Sequence, residues 1–201
     1  MPNWCSNDLY ISGKNVNAVL TAIASPETPI DFNLIIPMPE TLKIESGTLT
    51  DAALCVAMGT LEFFGSYPWM TENGIDTPEK LAAHFGKTAA ELLPLGEQVK
   101  TNLQKYGCKT WYEWSRDNWG TKWNASAAVI EKQTATSAKL RFDTAWSPPA
   151  PIIKALAAKF PAYTFTLKYY EMGCGFKGTL KVKGDAVLVD ESGDYRGNRG
   201  G

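Results

Sequence analysis

The sequence predicts an α+β domain built on an antiparallel sheet and interrupted by a block of helices. Three observations carry that prediction. Stretches near both ends alternate apolar and polar residues with period 2, as half-buried strands do. Two stretches between them repeat apolar residues at helical spacing. From about residue 40 to residue 118 the strand alternation gives way to helix caps and helix stops.

Residues 3–12 form the first predicted strand, with Cys5, Leu9 and Ile11 on one face and Trp4, Asp8 and Tyr10 on the other. A helix over 15–24 follows, its stripe made by Val16, Val19, Leu20 and Ile23. Residues 30–39 are an apolar run cut by Pro37 and Pro39, which suits an extended segment or an edge strand. Three helices are expected in the next block. One spans 51–64 and is capped by Thr50. A second starts at Thr77-Pro78 and stops at Gly86. The third opens at the capping box Thr88–Glu91, turns Leu92, Val99 and Leu103 inward, kinks at Pro94 and ends near Gly107. Strands return over 123–133 and 138–145, the latter with Leu140 and Phe142 inward and Lys139, Arg141 and Asp143 outward. The WSPP segment starts a helix with Ser147 as cap and an apolar stripe at Ile152, Ile153, Leu156 and Phe160. A strand over 163–172, with Phe165, Leu167 and Tyr169 on one face, leads through a glycine-rich turn to a hairpin over 176–190 and a loose tail from Asp194.

With the insert removed, the order β-α-β-β-α-β is the split arrangement of the ferredoxin-like fold. Residues 1–39 and 119–201 form that domain, and 40–118 form the helical insertion. The expected core is Leu9, Ile11, Val19, Leu20, Leu140, Phe142, Ile153, Leu156, Phe165 and Leu167.

Composition limits the function. The 201 residues carry a formal charge of −1, so neither a general nucleic-acid coat nor a polybasic membrane binder is expected. No apolar run approaches a membrane span, and the polar N-terminal residues do not read as a secretory signal. Cys5, Cys55, Cys108 and Cys174 are far apart, which predicts buried free thiols, no metal and a reducing, cytoplasmic setting. With His84 the single histidine, zinc sites and most histidine-based catalysis are disfavoured. No dinucleotide, NTPase, protease or hydrolase signature is present. No cofactor is expected, and a homo-oligomer is left open.

The segments PNWCSN, WYEWSRDNWGTKWNA, FDTAWSPPAPIIKAL and YYEMGCGFKG resemble the YubB-like family, carried by phages and plasmids. The resemblance implies a ferredoxin-like domain and a mobile-element origin, and it implies no reaction. An iron–sulfur cluster would need grouped cysteines, which the chain lacks.

Seven tryptophans are present, and the candidate site gathers around five of them. Trp111 and Trp114 share a helix face, while Trp119 and Trp123 flank Gly120-Thr121-Lys122. Over residues 105–123 four basic residues, Arg116 and Lys122 among them, oppose Glu113 and Asp117. Rings stack on planar groups, and Lys and Arg pair with phosphate. The competing expectation is that these tryptophans only pack the insert onto the sheet. Trp146 and Ser147 stand at a helix start that favours anions, although Pro148 and Pro149 remove two N–H donors. Glu171 precedes a glycine-rich turn and suits a base edge or a ribose, or merely the turn itself. Asn7, beside Asn3 and Ser6, carries an amide of the kind that reads base edges.

The site is therefore expected where the insert meets the sheet, lined by Trp111, Trp114, Arg116, Trp119, Lys122 and Trp123, with Glu171 opposite and Trp146, Ser147 and Asn7 contributing. The predicted function is non-catalytic capture of a small, planar, anionic, nucleotide-like ligand. A cyclic oligonucleotide immune signal fits, in a counter-defence sponge acting in the bacterial host. The alternatives are a single-stranded RNA or DNA module using the sheet face and a phosphodiesterase-type enzyme.

Overall fold

A computed structural model describes residues 3–197 and resolves two compact units, Met1–Pro37 with Ser115–Gly201, and Met38–Trp114. The division lies close to the expected insertion, two residues earlier at its start and four earlier at its end.

The first unit is built on β1 (Trp4–Ser12), α1 (Val16–Ile23), β2 (Ser126–Gln133), β3 (Ser137–Ala145), α7 (Ala150–Lys159), β4 (Thr164–Glu171), β5 (Phe176–Lys183) and β6 (Ala186–Asp194). The strands form one sheet in the order β2-β3-β1-β4-β5-β6, and each neighbouring pair is antiparallel. The first four in that order are the split β-α-β core, and the β5–β6 hairpin extends it. One face carries Leu9, Ile11, Leu140, Phe142, Phe165, Leu167, Leu180 and Val182, all buried. Helices α1 and α7 bury Val16, Val19, Leu20, Ile23, Ile152, Ile153, Leu156 and Ala157. All ten expected core residues are buried. The opposite face carries the polar half of each strand.

The second unit contains α2 (Thr48–Met58), α3 (Pro68–Glu72), α4 (Pro78–His84), α5 (Ala89–Tyr106) and the first half of α6 (Trp111–Trp119). The Thr88–Glu91 capping box forms as expected, and Thr77 caps α4. Pro94 lies inside α5. A Cβ on Gly96 would fall 2.1 Å from the Ala53 carbonyl oxygen, so α5 approaches α2 at a distance only glycine allows.

Four local expectations are corrected. Residues 30–39 make no strand. Phe32–Leu34 and Glu40–Leu42 are 3₁₀ turns, because Asp31 accepts from the Asn33 N–H and Phe32 turns inward edge-on to Phe142 and Trp119. Thr50 does not cap α2, which begins at Thr48; its hydroxyl donates to the Glu45 carbonyl instead. Ser147 does not cap α7 either, since its hydroxyl donates to the Gly120 carbonyl at 2.6 Å. The tail is tied down at its start: the Tyr195 N–H donates to the Gly175 carbonyl at 2.6 Å. Residues 198–201 of the expected loose tail lie outside the described residues.

Candidate functional site

The open face of the sheet holds a cavity of about 560 Å³. Strand alternation and register decide what lines it. Ser6 and Asp8 of β1 lie beside Asp143 and Arg141 of β3, and beside Tyr170 and Lys168 of β4. Tyr170 and Lys168 in turn lie beside Lys177 and Thr179 of β5. The side chains of these residues project to one side, away from Leu9 and Leu167.

Two groups of cations differ in character. Lys139 and Arg141 are neutralised within a four-membered ring: both bond Asp8 at 3.1 Å, and both bond Glu131, at 2.8 and 2.5 Å. The carboxylates of Glu131 and Asp8 hold the Lys139 ammonium above its ordinary range. Lys168 and Lys177 line the cavity with no carboxylate within ion-pair distance among the described residues. Beside them Tyr170 and Tyr195 stack, with centroids 5.1 Å apart and planes 17° apart. Unpaired ammonium groups next to an aromatic plane are what a phosphate attached to a planar ring needs.

A second aromatic surface continues from the same face. Trp4 begins β1 two residues before Ser6, so it lies about 7 Å further along the same side. Its ring is 6.1 Å from that of Trp123. The Lys122 ammonium stands 4.5 Å from the Trp123 ring and 5.1 Å from that of Trp146. Trp4, Trp123 and Trp146 are 40%, 37% and 39% exposed. Local hydrogen bonds fix the group: Ser115 donates to the Lys122 carbonyl, Thr121 to the Ala145 carbonyl and the Trp146 N–H to the Asn3 carbonyl. Trp146 is held at φ +72°, in the left-handed region. For a residue of this size that costs about 1–3 kcal/mol.

The expected site residues thus separate. Lys122, Trp123 and Trp146 come together, joined by Trp4. Trp119 is buried, its indole N–H donating to the Ile36 carbonyl at 2.9 Å and its ring edge-on to Phe32. Arg116 is exposed on the last turn of α6. Trp111 and Trp114 belong to the second unit, Trp114 buried and Trp111 edge-on to Tyr112.

Asn7 is turned to the helix-covered side with Leu9, where its amide donates to the Cys5 carbonyl at 2.8 Å and to Thr144 Oγ1 at 2.9 Å. Glu171 is 2% exposed and accepts the N–H groups of Gly173 and Cys174. Burial pushes its carboxyl up, but those two donors overcome burial and hold it below the ordinary range. Glu171 therefore holds the turn. Cys5, Cys55 and Cys108 are buried free thiols, whereas Cys174 is exposed, against expectation, because the glycine-rich turn carries it outward. Burial pushes the Cys5 thiol up to about 12.

Tyr170, Tyr195, Lys168 and Lys177 were not among the expected site residues. The signal available for them was alternation: Lys177, Thr179, Lys181 and Lys183 oppose Gly178, Leu180 and Val182 along one strand. Among the described residues no group of three or more His, Cys, Asp or Glu is placed to hold a metal ion. His84 is exposed at the end of α4 and stacks on Trp69 at 4.6 Å. No described helix is long and apolar enough to cross a membrane.

Residues 118–198 match the family model described as the ferredoxin-like domain in Api92-like protein. The crystal structure of a protein Api92 from Yersinia pseudotuberculosis is similar over 99% of this chain and 100% of that one, with a TM-score of 0.52 and 15% identity. That likeness is one of fold. No curated protein matches the chain.

Proposed function

We propose that the open face of the sheet is a non-catalytic binding site for a nucleotide-like ligand. The phosphate lies toward Lys168 and Lys177, and the base lies against the Tyr170–Tyr195 pair. One observation carries the reading: the cavity places two lysines, with no carboxylate in ion-pair distance among the described residues, beside a stacked aromatic pair. Its volume falls in the range of ordinary small-molecule sites. Capture fits better than turnover, because the cavity lining holds no paired acid and base: of its two carboxylates, Asp8 is bound to Lys139 and Arg141, and Glu191 has neither a histidine nor a cysteine beside it among the lining residues.

In this reading the protein sequesters its ligand. The resemblance to phage- and plasmid-borne YubB-like proteins supports a mobile-element role, with a cyclic oligonucleotide signal of the host as the captured species. A single-stranded RNA or DNA ligand is the second reading, favoured by the position of the cavity on an open antiparallel sheet flanked by exposed aromatic rings.

The test is calorimetric titration with adenosine monophosphate and cyclic di-adenylate, followed by chromatography of the recovered ligand. Binding with intact ligand, weakened at least tenfold in both Lys168→Ala and Lys177→Ala, is the expected result. Unchanged affinity in both variants places the ligand elsewhere, and recovery of a cleaved product makes the protein an enzyme.

A further inference from the structure

The aromatic surface around Trp4 is not needed to hold a single nucleotide at Lys168 and Lys177. Tyr170 and Lys177 are level with Ser6, about 7 Å along β1 from Trp4 and one and two strands to the side, and Lys168 is level with Asp8, about 14 Å along. A nucleotide with its base on Tyr170 and its phosphate at Lys168 therefore runs away from Trp4 and leaves that surface uncovered. Yet the two places repeat the same chemistry on the same side of the sheet. Each presents an aromatic plane with an ammonium group beside it: Tyr170 with Lys168 and Lys177, and Trp123 and Trp146 with Lys122.

Packing alone does not explain the second place. Three neighbouring indoles each keep more than a third of their surface exposed, a patch that marks a surface for contact, and Trp146 is held in a strained backbone conformation. Strain of this kind persists where the surroundings impose it, and it concentrates at binding surfaces.

We infer that the ligand of this face is an oligonucleotide of at least two linked nucleotides, with one base at the Tyr170 cavity and another on the Trp4–Trp123–Trp146 surface. The inference rests on the binding reading above and specifies its substrate class. A linear single strand and a cyclic oligonucleotide share this chemistry. Both supply a second base and a second phosphate at a fixed distance from the first, and the second contact then forms within an already bound ligand.

The experiment compares adenosine monophosphate, linear pApA, tetra-adenylate and cyclic di-adenylate by tryptophan fluorescence quenching. It uses the full chain and the variants Trp4→Ala, Trp123→Ala, Trp146→Gly and Lys168→Ala. Linked nucleotides should bind at least tenfold more tightly than the mononucleotide. Trp4→Ala and Trp123→Ala should remove most of that gain while leaving mononucleotide affinity within twofold. Trp146→Gly relieves the positive φ as it deletes the ring, which offsets part of the packing lost, so it should lose the gain while still melting in one cooperative transition. This guards against variants that fail through misfolding.

A cyclic dinucleotide preferred over pApA identifies a signal, and affinity rising from pApA to tetra-adenylate identifies a strand. If linked forms bind no better than the mononucleotide, or the gain survives in all three tryptophan variants, the inference is overturned and the mononucleotide site stands. If Lys168→Ala also leaves the binding of every form unchanged, the binding reading falls with it.

Discussion

Tyr170 and Tyr195 stack at 5.1 Å with their planes 17° apart, bringing the residue that follows β6 onto the outward face of β4. The contact skips β5, which lies between the two strands in the sheet. It closes one side of the cavity and makes the tail part of the site. Replacing Tyr170 by Ala should cost one stacking contact, about 1–3 kcal/mol, and weaken mononucleotide binding about ten- to a hundredfold. Tyr170→Phe should bind within about threefold of wild type. Equal losses in both variants would assign the role to the hydroxyl and not to the ring.

Arg116 and Lys168 separate two locations for the ligand. With the ligand on the open face, Arg116→Ala should leave affinity within twofold while Lys168→Ala lowers it at least tenfold. The reverse result would place the ligand along the WYEWSRDNW stretch.

Ionic strength offers a further check. Neutralising three phosphates on a single strand gives a slope of log affinity against log salt of about −2. Lys122, Lys168 and Lys177 would supply those three contacts, so each Lys→Ala change should flatten the slope by about 0.7. A steeper slope, unaffected by these variants, would point to a different basic surface.

Glu171 makes the glycine-rich turn sensitive to acid. Its folded carboxyl titrates below its ordinary range. The stabilisation is therefore complete above the unfolded value near 4.5 and is lost as pH falls through the lower folded value. Glu171→Gln should lower the melting temperature at pH 7 by roughly 3–10 °C, for a charge-assisted pair of backbone bonds. The gap from wild type should close as the pH falls below the folded value. A gap independent of pH would show that packing, not charge, is what the variant removes.

Two structural predictions are independent of any ligand. Native protein at pH 8 should react with a thiol reagent at Cys174 quickly and at Cys5, Cys55 and Cys108 only after unfolding, since those three are buried. Gly96→Ala should destabilise the second unit by about 1–3 kcal/mol, because a Cβ there meets backbone and not a movable side chain. A melting transition unchanged by Gly96→Ala would mean that α2 and α5 can separate freely.

Much of this molecule follows from the order of its residues. Period-2 alternation in Cys5–Ile11, Leu140–Phe142 and Phe165–Tyr169 determined which side chains face the helices, because a strand exposes successive residues to opposite sides. Helical spacing and the Thr88–Glu91 box determined α1, α5 and α7 for reasons equally local. Residues 30–39 escaped that logic. Their apolar content satisfied a strand pattern, but Phe32 is buried by Trp119 and Phe142, more than eighty positions away.

The candidate site belongs to the same class. Alternation marks Ser6, Lys168, Tyr170 and Lys177 as outward, and nothing local makes them neighbours. Strand order and register bring Ser6 beside Tyr170 and Tyr170 beside Lys177, and the return of the chain after β6 sets Tyr195 on Tyr170. A strand's own residues decide its faces. Which strands lie side by side depends on how all the apolar faces are buried at once, and so only the tertiary structure could assemble this cavity.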